Sequence, residues 1–119
     1  MKFIDKLIDM FKALSDETRL RILVLLYNRK LCVCQIQGIM EEYQPKISKH
    51  LAKLKAAGLI KDERQEQFIY YYLREDNNIL KDLLKKIILD CDKYPIIKKD
   101  LNKLEKANEY IIQKISNDS

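Results

Sequence analysis

A mainly α-helical fold carrying one small β-hairpin is what this 119-residue sequence predicts. Three observations lead there. Glycine and proline number only two each, so little punctuates the chain. Apolar residues recur at three- and four-residue spacing through most of its length. The exception is Phe68-Ile69-Tyr70-Tyr71-Tyr72-Leu73, an aromatic and β-branched run of the kind that favours a strand.

Phe3, Ile4, Leu7, Ile8, Phe11 and Leu14 form the stripe of a first amphipathic helix. Ser15 or Asp16 then caps a second, in which Leu20 and Ile22 to Leu26 cover most faces and so belong in the core. After the Asn28-Arg29-Lys30 break, a short third helix is expected from Cys32 to Glu42. Pro45 suits the first turn of a fourth, where its missing N–H costs nothing; Ile47, Leu51 and Leu54 face inward, and Gly58 ends it. Leu59 to Glu63 and Phe68 to Leu73 make the hairpin, joined by the polar Arg64-Gln65-Glu66-Gln67. Asp76 or Asn77 caps a fifth helix with the stripe Leu80, Leu83, Leu84, Ile87, Ile88 and Cys91, broken or kinked at Pro95. The last segment carries a heptad-like seam, Ile97, Leu101, Leu104, Asn108, Ile111 and Ile115, with polar Asn108 at an a-type position. That seam suits a helix packed on its own domain and equally one paired with its twin.

Three helices followed by a two-stranded hairpin make a winged helix-turn-helix, here with five to six helices and expected as a homodimer. Residues 1–93 would form the DNA-binding and dimerisation domain, and 94–119 a helical extension that is a candidate for the dimer interface. Pro45–Ala57 would be the recognition helix.

Charge supports this reading by its distribution more than its total. The net charge is +5, but residues 44–64 alone hold six basic residues against two acidic ones, the local footprint of a phosphate-binding face. On that helix Gln44 can bridge adenine edges, Lys46, Lys49 and Lys53 suit phosphate or guanine, and Ser48 and His50 suit either role. At the hairpin tip, Arg64 and Gln67 would follow an adjacent minor groove or phosphate. Taken alone, such a charge run is more often a solvated helix face.

The longest apolar run, Ile22 to Tyr27, is far too short to span a bilayer, and Asp5 and Asp9 interrupt any signal-like N-terminus. The expectation is a cytoplasmic protein with no membrane partner. Nothing resembles an enzyme: there is no glycine-rich phosphate loop, no paired acid and base, and Cys32-Val33-Cys34 lacks the two-residue spacing of a redox motif.

Ala13-Leu14-Ser15-Asp16-Glu17-Thr18-Arg19-Leu20-Arg21-Ile22-Leu23 resembles the opening of the arsenical-resistance repressor (ArsR/SmtB) family. Gln44 to Leu54 is similar to that family's recognition helix, Ala57-Gly58-Leu59-Ile60 to its turn into the wing, and Leu31-Cys32-Val33-Cys34 to the metalloid-binding start of its third helix. The likeness covers about residues 8–75. It implies a dimeric repressor that leaves its operator, an inverted repeat in double-stranded DNA, when an inducer binds. Departures are Tyr43 where the recognition helix usually has a Ser or Thr cap, a wing turn without glycine, Lys30 for an acidic residue, Gln35 for Asp, and Gln37 where some members carry a third Cys.

Thiolates select soft metals and metalloids, so As(III), Sb(III) or another soft metal at Cys32 and Cys34 is the expected inducer, with no obligatory cofactor. In a regular helix two residues apart means about 200° of rotation, so the thiols converge only if the first turn is extended. Cys91 reads first as a small apolar filler of its stripe and second as a third ligand, from either subunit. His50 is the only histidine, so an imidazole metal site on the fifth helix is not expected. Two other readings stand beside the metalloid one. One is a redox or persulfide sensor pairing Cys32 or Cys34 with Cys91; the other is a winged-helix protein-interaction module without DNA binding.

Overall fold

A computed structural model describes residues 2–118; Met1 and Ser119, the outer limits of the expected spans, lie outside the described residues. Helix α1 (Phe3–Leu14) leads into α2 (Glu17–Asn28), the central helix, whose Ile22 to Leu26 are all buried. Asp16 caps α2: its Oδ1 accepts the Arg19 N–H at 3.0 Å. The Arg19 side chain turns back to end α1, its Nε donating to the Ala13 carbonyl at 2.9 Å. One short motif thus closes one helix and opens the next.

Strand β1 (Leu31–Cys32) precedes α3 (Val33–Met40), and α4 (Gln44–Ala56) follows a three-residue turn. Ile36, Ile39, Ile47, Leu51 and Leu54 pack α3 and α4 onto the core. Gly58 stops α4 at φ 76, a left-handed conformation that favours glycine. Its N–H donates to the Lys55 carbonyl and that of Leu59 to the Leu54 carbonyl, the paired bonds of a Schellman turn. The chain is thereby turned into β2 (Ile60–Gln65), which pairs antiparallel with β3 (Phe68–Leu73) from Ile60↔Leu73 to Gln65↔Phe68. The connection is the two residues Glu66 and Gln67. Glu66 takes the positive φ, 58°, that a glycine would otherwise supply.

Two features differ from expectation. The hairpin is a three-stranded sheet of order β1-β3-β2, because Leu31 and Cys32 pair with Tyr71 and Tyr70. The third helix therefore starts after Cys32, not on it, and stops at Met40, where Glu41 adopts φ 56. The C-terminal seam is also not one helix. Asn77 caps α5 (Asn78–Leu89), with its Oδ1 accepting the Leu80 N–H at 3.0 Å. A 3-10 turn (Cys91–Lys93), α6 (Pro95–Asn102), a second 3-10 turn (Leu104–Lys106) and α7 (Ala107–Asp118) follow. That division brings the α-helices to seven among the described residues. It arises because the segment serves two surfaces. Ile97 and Asp100 face α2, whereas Ala107 and Tyr110 meet α3, and no straight helix reaches both.

The α6 contact is ionic. Asp100, 1 % exposed, accepts from Arg21 Nε at 2.7 Å and from Arg21 Nη2 at 2.9 Å. Arg21 Nη2 also lies 3.4 Å from the Met40 carbonyl. Residues 94–118 consequently share the core of the preceding elements, through Ile97 and Ala107.

Candidate thiol site and nucleic-acid interface

Cys32 belongs at once to a strand and to a helix end. Its extended backbone (φ −87, ψ 170) pairs with Tyr70 and occupies the N-cap position of α3. This extension removes the rotation that would separate the thiols, and the Cys32 and Cys34 Sγ atoms lie 2.8 Å apart. Cys32 is 2 % exposed and Cys34 half-buried.

Either sulfur can donate to the other at this distance. With Cys34 S–H donating, and backbone N–H groups of the first helical turn nearby, the Cys32 thiol is brought down to about 7. Cys34 is pushed up, because the neighbouring thiolate holds its proton and burial disfavours a second charge. As pH rises through about 7 the pair becomes a thiol–thiolate, a nucleophile and soft donor. The phenol of Tyr70 is raised, by burial first and then by the charge of the two cysteines.

Gln35 holds this junction together; the sequence marked it only as a departure from the family's Asp. Its Oε1 accepts the Cys32 N–H at 3.0 Å and its Nε2 donates to the Ala107 carbonyl at 3.2 Å. The signal was present: Cys32 to Gln35 has capping-box spacing, with Cys in place of Ser or Thr. Cys91 sits half-buried against the core in the turn after α5. Among the described residues of one chain, no cluster of three or more His, Cys, Asp or Glu side chains is placed to hold a metal.

On α4 the expected polar face is formed by Gln44, Lys46, Lys49 and Lys53, all exposed, with Ser48 half-buried. Gln44 Nε2 donates to Ser48 Oγ at 2.8 Å, and Lys46 pairs with Glu42 at 3.2 Å. Lys49 and Lys53 form no ion pair with a described carboxylate. Tyr43 is the N-cap and contributes no side-chain bond, so Pro45 in the first turn shapes the start of the helix. At the wing tip Arg64 and Gln67 are exposed, and Arg64 Nε donates to the Glu66 carbonyl at 3.3 Å.

His50 departs from its expected place. It is 8 % exposed and faces the start of α2, with Nδ1 at 3.5 Å from Arg19 Nη1 and 3.9 Å from Asp16 Oδ1. Burial holds its pKa below the usual histidine value despite the Asp16 charge. Its role is to join α4 to the α1–α2 corner, because its step along α4 places it on the side of Ile47, Leu51 and Leu54.

Residues 16–62 match the model of the arsR family of bacterial regulatory proteins. An uncharacterised helix-turn-helix-type transcriptional regulator of Methanocaldococcus jannaschii is 40% identical over 86 residues, which is 71% of this chain and 94% of that protein. The chain belongs to the arsR family. An arsenic resistance transcriptional regulator of Pseudomonas putida is 46% identical over 69 residues, covering 57% of this arsR-family chain and 60% of that one. The chain spans about three fifths of the length of the arsenic-resistance regulators it matches. HlyU from Vibrio cholerae shares the fold at a TM-score of 0.68 and 29% identity, over 76% of this chain and 99% of that one. The winged helix-turn-helix predicted from the sequence is therefore the fold of this arsR-family member, with β1 as the third strand of its wing sheet. Among the described residues no helix is long and apolar enough to cross a membrane.

Proposed function

We propose that this chain is a dimeric, DNA-binding transcriptional repressor that a thiophilic inducer, As(III) or Sb(III), releases by binding Cys32 and Cys34. The observation that carries the reading is the approach of the two Sγ atoms to 2.8 Å at the junction of β1 and α3. Arsenous acid condensing with the two thiols, or with the thiol–thiolate pair and one proton from solvent, forms two arsenic–sulfur bonds and releases two waters, leaving one hydroxyl on arsenic. That third position stays with hydroxide, or passes to the Cys91 thiol of either subunit with release of a third water.

An atom inserted between two sulfurs cannot leave them 2.8 Å apart. Ligation therefore moves Cys32, which is both the pairing partner of Tyr70 in the wing and the N-cap of α3. The helix and the wing that present the operator-binding groups shift relative to each other. By linkage, operator DNA weakens inducer binding by the same factor.

Lys46, Lys49 and Lys53 on α4 supply phosphate or guanine contacts, with Gln44 and Ser48 at the base edges and Arg64 and Gln67 from the wing. An inverted repeat follows from two-fold symmetry of the protein. A second copy has a surface to meet: Phe3 is 90 % exposed, and Ile4, Ile8 and Phe11 of α1 and Ile79 of α5 are exposed beside it. Residues 1–93 contain all of these groups. The segment from 94 onward adds to them as an extension.

Fluorescence anisotropy of the reduced protein on labelled DNA from upstream of its own gene tests this. Arsenite should dissociate the complex of the unaltered protein and leave that of the Cys32→Ser/Cys34→Ser protein intact. A complex that ignores arsenite ends the metalloid reading; cadmium and peroxide titrations then separate a soft-metal sensor from a redox one. Binding with no salt dependence would end the DNA reading itself.

A further inference from the structure

The C-terminal segment grips α3 along its length. At the N-terminal end, Gln35 Nε2 donates to the Ala107 carbonyl. In the middle, Gly38 lies so close under the Tyr110 ring that a Cβ there would overlap it. At the C-terminal end, Glu41 pairs with Lys103 at 2.9 Å and Lys99 at 3.3 Å. Just before β1, Arg29 Nη2 donates to Asn108 Oδ1 at 3.2 Å.

We propose that α7 is a clamp on α3 that the thiol pair releases: docked, it holds Cys32 and α3 in place, and ligation of Cys32 and Cys34 frees it. The inference rests on the sensing reading above for its trigger, though the coupling itself stands on the structure's own contacts. Gln35 is the relay. Its side chain is buried and engaged at both ends, one on Cys32 and the other on α7. Moving Cys32 takes away the partner of Oε1 and disturbs the Nε2 bond, and a buried amide left half-satisfied is unfavourable. The Gly38–Tyr110 contact has no slack, so a shift of α3 is transmitted and not absorbed. Release stops at α6, which the buried Arg21–Asp100 pair anchors to α2. The 3-10 turn Leu104–Lys106 between them is the hinge.

Reciprocity follows: if ligation frees α7, freeing α7 must favour ligation. Two full-length variants disturb the clamp from opposite sides without touching Cys32, Cys34 or Gln35. Tyr110→Ala empties the contact and Gly38→Ala overfills it. Amide hydrogen exchange is read on segments 31–36 and 107–118. In both variants 107–118 should exchange faster, and 31–36 with it, by about fivefold or more, the lower end of usual coupling between sites. Faster exchange of 107–118 with 31–36 unchanged overturns the coupling, as does protection of 107–118 that neither variant lowers.

Arsenite is then added to the unaltered protein, with binding followed by arsenic–thiolate absorbance. Bound arsenite should speed exchange of 107–118, and both variants should bind it about fivefold more tightly or better. Bound arsenite with 107–118 still protected overturns the release. If no absorbance develops, the sensing reading fails and with it the trigger, while the variants still decide whether α7 and the thiol junction move as one.

Discussion

Replacing Asp100 by Ala should be among the most damaging single changes in this protein. The carboxylate is 1 % exposed and holds both Arg21 Nε and Nη2, at 2.7 and 2.9 Å. Its removal leaves a guanidinium between α2 and α6 with only the Met40 carbonyl, at 3.4 Å, as a weak acceptor. Breaking one side of a buried ion pair costs about 3–5 kcal/mol, because the surviving charge is uncompensated. Against a typical domain stability of about 5–15 kcal/mol, that is a large share. With a urea slope of about 1.5 kcal/mol/M, the unfolding midpoint should fall by roughly 2–3 M. The assay is urea unfolding followed by far-UV circular dichroism, at one fixed protomer concentration so that association between copies is held constant. Arg21→Met/Asp100→Leu, which removes both charges and fills the space, should recover most of the loss. An Asp100→Ala protein within about 1 kcal/mol of the unaltered one would refute the reasoning, because the pair would then be solvated in solution.

Glu66→Gly should stabilise the hairpin by about 0.5–1 kcal/mol: relief of a left-handed non-glycine residue outweighs the added chain entropy, and chemical unfolding measures the difference. Lys49→Glu should weaken operator binding and make the log–log salt dependence shallower by about one, with arsenite affinity of the free protein unchanged. For Cys32, lowered to about 7, the thiolate forms as pH rises through that value, so its alkylation rate should climb through pH 7 and level above it. Cys34→Ala, which takes away the S–H donor, should move that inflection up towards an ordinary thiol. Peptide mapping of the label across a pH series checks both.

Much of this was readable from local pattern. Apolar spacing located α1, α2, α4 and α5; Gly58 marked the Schellman turn; Asp16 or its neighbour was expected to cap α2, and Asn77 or its neighbour α5. What was hidden depends on partners far along the chain. Strand β1 is two residues long, carries no alternation, and exists only because Tyr70 and Tyr71 come to meet it. Arg21 and Asp100 are separated by 79 positions, and each reads as an ordinary surface charge until α6 folds back. The seam from Ile97 to Ile115 has coiled-coil spacing, but spacing cannot show that its first half serves α2 and its second α3. At the candidate site, Cys32 and Cys34 were legible as a pair, and the condition for their meeting was an extended first turn. The sheet supplies that extension. His50 was misplaced because a histidine among lysines looks polar-facing, whereas its step along α4 sets it beside Leu51 and Leu54.

The brevity of β1 has a further consequence, for how these molecules behave when crowded. An open sheet offers two rows of unpaired backbone groups to any passing chain, and a flat apolar edge invites stacking into aggregates. Here one border is Leu31 and Cys32 with two residues of β3 left beyond them on either side, Phe68-Ile69 and Tyr72-Leu73, each stretch too short to template a neighbour. The other border is β2, whose Lys61, Asp62, Glu63 and Arg64 set alternating blocks of charge along it. A third strand just long enough to seat a cysteine also breaks its side of the sheet into stretches too short for a second molecule to extend.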